Sequence, residues 1–397
     1  MHRLGGTTRS YAWGSPRAIP ELLGGVPGET PVAELWFGAH LSAPSPVVDA
    51  DGSIDLAALI AADPGATLGD DVRARFGDAL PYLLKLIAPE RPLSLQVHPH
   101  AARAREGFDR EEVAGIPVDA HNRSYRDRNH KPELVLALAP FEALCGFRAP
   151  RRAAELFAGL SAPLAKELRA LLVAEPSVAG VRAAFTFLLD PATRPSEFEV
   201  EVLAQECEAR LASGSTSPRA DSTVALLAKA YPGDPGVVAS LLLNPVSLQA
   251  GEALFVPAGG VHAYLSGLGI EIMASSDNVL RAGLTSKHVD IAELLACVDY
   301  VAAPPIRTAP EVFHGATRVF YAPVDDFELS VTDLSDDAVH PLPGRGPRTL
   351  VCLEGKITVS SEVDSLTLAR GDAAFVPSSE GRLTARGAGV LIQADVP

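Results

Sequence analysis

The sequence has 397 residues, enough for two or three domains each with a core of its own, and its 47% hydrophobic and 21% charged residues are those of an ordinary globular protein rather than a disordered one. A formal charge of −15 argues against general affinity for nucleic acid or anionic membrane, because the mean field repels both; an anionic ligand would need a local basic pocket. The four cysteines, Cys145, Cys207, Cys297 and Cys352, form no CxxC pair, which argues against a disulfide framework or a thiolate metal site and for a reducing compartment.

The N-terminal stretch MHRLGGTTRSYAWGS lacks the apolar core of a signal peptide, and no apolar run approaches the ~20 residues needed to cross a bilayer. A cytoplasmic protein is expected. Over the first 147 residues, LPYLLKLI (80–87), PLSLQVH (92–98) and PELVLALA (132–139) read as strands punctuated by Gly and Pro. From about 150 to 243 the pattern turns to Ala- and Leu-rich amphipathic segments, among them RRAAELFAGL, PLAKELRALLVAE, EVLAQECEARLA and STVALLAKAY, which predict helices. Strand character then returns.

Gly251-Glu-Ala-Leu-Phe-Val-Pro257 recurs as Gly371-Asp-Ala-Ala-Phe-Val-Pro377, and each copy reads as a turn, a short apolar strand and a second turn, the unit of a small antiparallel barrel. The first copy continues to Gly259 and His262 and resembles the second motif of the cupin superfamily; the later copy has Ser379 and Arg382 there. The expected fold is therefore mainly β with an α-helical insertion: two cupin-like (jelly-roll) β-barrels plus a helical domain. Residues 1–148 and 245–300 are assigned to a first barrel carrying the chemistry, 149–244 to the insertion, and 301–397 to a degenerate C-terminal barrel.

In PLSLQVHPH, Ser94, Gln96 and His98 alternate with Leu95 and Val97 and so share one strand face. Alternate residues lie roughly 6.7 Å apart along a strand, and side chains as long as Gln and His can converge on one ion. Glu133 opens an otherwise apolar strand, where an unpaired carboxylate is costly and calls for a cation, either a metal or Lys131 or a nearby arginine. His262 ends a glycine-rich turn from which an imidazole can enter a barrel mouth. Together Gln96, His98, Glu133 and His262 make an N/O donor set without thiolate that suits one Zn²⁺ per chain, with Mn²⁺, Co²⁺ or Fe²⁺ as substitutes.

The strings YAWGS (11–15), ELWFGAH (34–40), LLKLI (83–87), LSLQVHPH (93–100), NHKPEL (129–134), ALCGFR (143–148), VPAGGVHAY (256–264) and EIMASSDNVLRAGLTSKHVD (271–290) together resemble the type I mannose-6-phosphate isomerase family, in order along almost the whole chain. The resemblance implies a zinc-dependent cupin enzyme with a helical insertion. It also implies metal ligands at Gln96, His98, Glu133 and His262, and mannose 6-phosphate and fructose 6-phosphate as the substrate pair. It thins in the helical block and over the last hundred residues.

Aldose–ketose interconversion moves a proton between C1 and C2 through an enediol, so it requires a group that polarises oxygen and one that carries the proton. Glu271, Lys131 and His130 are the candidates for the second task. Glu271 stands in an apolar strand, where burial would raise its pKa, with an ion pair to Arg281 or Lys287 as the alternative. A strand ending near Arg281 and a helix beginning at Ser286 would set Lys287 in a first helical turn, where a bound anion could sit; the alternative is that Arg281 and Lys287 balance Asp277 and Asp290. The resemblance gives Arg281 the role of stabilising negative charge on the reacting oxygens and makes Ser94, Trp13 and Tyr264 pocket-lining positions; His130 and Lys287 are further substrate-binding candidates. A monomer binding a small sugar phosphate is expected. Another metal cupin, an oxygenase or sugar epimerase, and a non-catalytic sugar-phosphate binder are the competing readings.

Overall fold

The computed structural model describes residues 1–48, 54–335 and 337–397. Among these, the strand ladders form three antiparallel sheets. A seven-stranded sheet runs Ile306–Thr308, Ala253–Val256, Glu133–Ala137, Gly269–Ala274, Tyr82–Ile87, Glu34–Phe37, Thr7–Arg9. Facing it is a five-stranded sheet in the order Leu280–Gly283, Leu95–Val97, His262–Ser266, Phe141–Phe147, Leu243–Leu248.

The central strands YLLKLI, ELVLA and GIEIMA are buried at every residue, which explains their lack of polar alternation: both faces are covered. One face of the seven-stranded sheet turns Ile87, Val135 and Val256 toward Phe141, Cys145 and Tyr264 of the five-stranded sheet. Its other face turns Leu84, Leu86, Leu134 and Ile272 toward Leu329, Val331 and Ile392 of the C-terminal unit. The outer face of the five-stranded sheet, with Leu144, Phe147 and Ala263, packs on the helices of the insertion through Phe157, Leu168 and Phe185. The metal-site candidates therefore belong to a sandwich braced on both sides.

The C-terminal sheet has nine strands built around Arg348–Ser360 and Thr384–Asp395, with Leu350, Ile357, Leu368 and Leu391 in a core of their own. Two short strands cross the expected unit boundaries. His2–Leu4 pairs with Ala373–Val376 of the C-terminal sheet, and Ile306–Thr308 pairs with Ala253–Val256 of the first sandwich. Each is a terminal strand of its sheet, so each unit covers an exposed edge of the other, whose unpaired amides and carbonyls would otherwise face solvent. Residues 1–148 and 301–397 are thus not wholly assigned to one barrel each.

Helices also occur outside the expected insertion, at Leu56–Ala62, Pro64–Phe76 and Ala101–Val113. The first two have acidic caps: Asp55 accepts from the Ala58 amide (2.8 Å) and Asp63 from the Ala66 amide (2.9 Å), with Pro64 in the first turn. No helix among the described residues is long and apolar enough to cross a membrane.

Candidate active site

Strand register assembles the centre. His262 lies opposite Gln96 on one side and Cys145 on the other, and Arg281 lies opposite Gln96 from the neighbouring strand. Across the sandwich, Glu271 is opposite both Lys85 and Val135, and Glu133 shares the inward parity of Val135. Three distant stretches therefore point into one interior.

His98, Glu133 and His262 are all buried, and one donor atom from each lies within 4.8 Å of the others. His98 Nε2 is 3.0 Å from Glu133 Oε1, and His262 Nε2 is 3.3 Å from Glu133 Oε2 and 3.2 Å from Gln96 Nε2. Turning the Gln96 amide over, a change that leaves its shape intact, presents Oε1 instead.

Whether these groups suit a cation follows from their protons. His98 Nδ1 lies 2.7 Å from the Asn278 carbonyl and His262 Nδ1 lies 3.0 Å from the Gly260 carbonyl. A carbonyl can only accept, so both Nδ1 atoms donate, and in a neutral ring the lone pair is then on Nε2. His98 Nε2 is buried with no hydrogen-bond partner, although it stands 3.0 Å from a carboxylate oxygen. Two acceptors that close together require a positive charge between them. Burial, then Lys131, pushes the His98 pKa down to about 4, which keeps the imidazole in its neutral, ligating form at pH 7. Burial opposes charge on Glu133, but the adjacent Lys131 ammonium leads the groups that outweigh it and hold the carboxyl well below its usual range. The donor set fits a divalent ion such as zinc.

The surrounding charge agrees. Glu34, Glu133 and Glu271 are buried beside Lys85 and Lys131, so the interior carries three carboxylates against two ammonium groups. Lys131 Nζ lies 3.1 Å from Glu133 Oε1, so the lysine alternative for Glu133 is observed alongside its place in the His98–Glu133–His262 donor group. Lys85 Nζ is 2.9 Å from Glu271 Oε2. Thus Glu271 is paired with neither Arg281 nor Lys287, as its alternative reading had it. Burial raises the pKa of Glu271, against Lys85 and with the help of Glu133. Burial opposes the charge of Lys85 too, but Glu271, Glu34 and Glu133 together raise its pKa above that of a free lysine. Tyr264 is fully buried and its hydroxyl is 3.4 Å from Glu133 Oε2.

A second cluster is cationic. Arg281 has its pKa lowered by burial and then by Arg126, and Lys287 by burial, Arg281 and Arg126. Among the described residues the carboxylates once suspected of balancing them are engaged elsewhere: Asp277 with His40 (3.5 Å), Asp290 with the Glu293 amide (3.0 Å). Lys287 Nζ lies 5.9 Å from the Tyr11 ring, which stacks on Trp13 at 5.6 Å. Arg126, Arg281 and Lys287 thus form a cationic cluster with no carboxylate in ion-pair distance among the described residues.

Other expectations are corrected. The helix after Arg281 spans Ile291–Cys297 with Asp290 as its cap, so Lys287 precedes it in a loop and Ser286 caps nothing. Asp290 wins because its carboxylate reaches the Glu293 amide. His130 is drawn from the cluster toward the C-terminal unit, where Nε2 lies 3.0 Å from both oxygens of Asp326. Ser94 immediately precedes its strand and is partly buried. Lys85 and Arg126 were missed. Lys85 carried the same signal as Glu271, a charge inside an apolar strand; Arg126 sat among many charges in NRSYRDRNHK and had none. Asn278 was missed as well: fully buried, it orients His98 through its carbonyl while its Oδ1 accepts from the Arg126 amide (2.7 Å).

Comparison with known proteins matches residues 1–150 to the family described as phosphomannose isomerase type I, catalytic domain, and residues 316–396 to the mannose-6-phosphate isomerase cupin domain. Mannose-6-phosphate isomerase of Escherichia coli (strain K12) is 40% identical over 404 residues, covering 98% of each chain. That of Salmonella typhimurium is 39% identical, again over 98% of each. A zinc-bound crystal structure of a mannose 6-phosphate isomerase superposes with a TM-score of 0.89 at 38% identity, covering 99% of this chain and 98% of the other.

Proposed function

The chain belongs to the type I mannose-6-phosphate isomerase family, and from that premise we propose that it interconverts mannose 6-phosphate and fructose 6-phosphate with one zinc ion held by Gln96, His98, Glu133 and His262. The observation that carries this reading is the buried meeting of two imidazole lone pairs with one carboxylate beside a cationic rim that lacks acids. Zinc bound there would supply a Lewis acid for the sugar oxygens.

The remaining steps belong to the chain. Arg126 and Lys287 bind the phosphate, with Trp13 and Tyr11 stacked alongside and Ser94 and Tyr264 at the pocket wall. That anchoring brings the other end of the sugar to the carboxylates. Glu271, as carboxylate, removes the proton from C2 of the aldose and returns it to C1 through the enediol while the proton of the C2 hydroxyl passes to the C1 oxygen, a task suited to a carboxylate whose basicity burial raises. Lys85, 2.9 Å from Glu271, fixes its orientation. Lys131 holds Glu133, and Arg281, opposite Gln96, offers positive charge to the developing enediolate. His130, tied to Asp326, is left outside this scheme. We place the enzyme in the cytoplasm as a monomer, a compartment suited to four buried, unpaired cysteines.

The test is a coupled assay on the two sugar phosphates before chelation, after it, and with zinc restored. Activity should vanish and return. Turnover indifferent to chelator would overturn the metal reading, and tight sugar-phosphate binding without isomerisation would favour the non-catalytic alternative.

A further inference from the structure

Away from the active site, a cavity of about 420 Å³ lies where the helical insertion joins the sandwich, with Arg148, Arg152, Glu155, Ser217 and Asn244 on its polar walls, the Glu155 carboxylate being neutralised by Arg152. Arg148 directly follows the strand Phe141–Phe147, and its own amide is fixed by the Leu242 carbonyl at 2.8 Å. Its side chain is different. Nε is buried with no hydrogen-bond partner, and the guanidinium has no carboxylate within ion-pair distance among the described residues. The neighbouring arginines are occupied: Arg152 with Glu155 at 3.0 Å, Arg219 with Glu142 at 2.9 Å. Burial, then Arg219, pushes the pKa of Arg148 down to about 10, so it stays charged at neutral pH.

Two helices begin at the same cavity, Pro150–Phe157 after Ala149 and Pro218–Ala230 after Ser217, and neither has a side-chain cap hydrogen bond. Pro150 and Pro218 carry no N–H, and the Ala153 and Ala220 amides already bond the Ala149 and Ser217 carbonyls, so the first-turn donors left over are the Arg151 and Arg152 amides of one helix and the Arg219 amide of the other, beside an unpaired guanidinium. Asn244 fastens the wall: its Nδ2 donates to the Phe147 and Ala303 carbonyls, both at 2.9 Å. In a chain of net charge −15, an uncompensated cation in a preformed cavity calls for an anion.

We propose that this cavity is a second anion site, taking a small phosphate-bearing anion on Arg148 and sharing no residue with the active site. Arg148 provides the charge-assisted bonds, with Ser217 on the same wall. The site adjoins the strand whose Cys145 pairs with His262.

The test uses inorganic phosphate, titrated by calorimetry into the zinc-loaded protein and into variants. The unaltered protein should bind in two classes, one lost in Arg126→Gln and the other in Arg148→Gln, with the Arg148 class weakened tenfold or more. Arg148→Lys, which keeps the charge and guards against misfolding, should retain that class with affinity between the two, and isomerase turnover of all Arg148 variants should stay at the level of the unaltered protein. A single class abolished by Arg126→Gln, or an Arg148→Gln isotherm that superimposes on that of the unaltered protein, would overturn the proposal.

Discussion

The repeated segments at 251–262 and 371–382 begin alike and end in opposite chemistry. Ala253–Val256 and Ala373–Val376 are both four-residue strands buried throughout. In the first, the chain turns through two glycines and His262 opens the next strand, wholly buried. In the second, a short 3₁₀ turn, Ser378–Glu380, follows, and Ser379 and Arg382 are exposed. The partner strands differ more deeply. Val256 lies opposite Glu133, whereas Val376 lies opposite Arg348, so a buried guanidinium occupies the register position of the metal-site carboxylate. Arg348 is spent on the Gly344 and Gly381 carbonyls. One scaffold thus supports a cation site or excludes one according to the residue delivered by the adjacent strand.

The sharpest way to break this contrast is at Glu133. Glu133→Ala should remove the metal and lower turnover by ~10³-fold or more, since Lewis-acid assistance is worth several kcal/mol; metal content after dialysis and the coupled assay read both, and a variant retaining metal and full activity would sink the ligand assignment. Next in size, Glu271→Gln should keep the metal and lower kcat by ~10²-fold or more with little change in KM. A change confined to KM would remove Glu271 from proton transfer.

In the C-terminal unit the effect is on stability. Burial raises the Asp395 pKa to about 7, against Arg348 and the Val396 amide and with Glu328 adding to it. The unfolded carboxyl titrates near 3.8, so between about pH 4 and 7 the native state holds a proton that the unfolded state has lost, and stability falls as pH rises through that window. Asp395→Asn should abolish this slope, and its urea midpoint should exceed that of the unaltered protein by a margin that widens up to pH 7 and then stays constant. Parallel midpoint curves for the two proteins would contradict the buried, protonated carboxyl. Smallest of all, Arg382→His should leave metal content at one ion per chain, because position 382 is exposed and Arg348 stands where the carboxylate would be needed; a second tightly held ion would show that the motif alone suffices.

Much of the centre was legible from the chain. Strand alternation put Gln96 and His98 on one face, and charges stranded in apolar runs marked Glu133 and Glu271, because burial makes such residues costly unless they are used. The glycine-flanked turn marked His262. The same rule applied to LLKLI would have found Lys85. What periodicity could not supply was register and partnership: that Glu271 pairs with Lys85, that His130 is tied to Asp326, that Arg126 joins Arg281 and Lys287, and that Asp290 rather than Ser286 caps the last helix of the sandwich. Nor could it show that two short strands cross between the units to cover each other's edges. Side-chain periodicity is a property of a few consecutive residues and is written in the sequence. A long-range ion pair or a strand edge is completed by residues tens to hundreds of positions away, and only the folded chain brings them within reach.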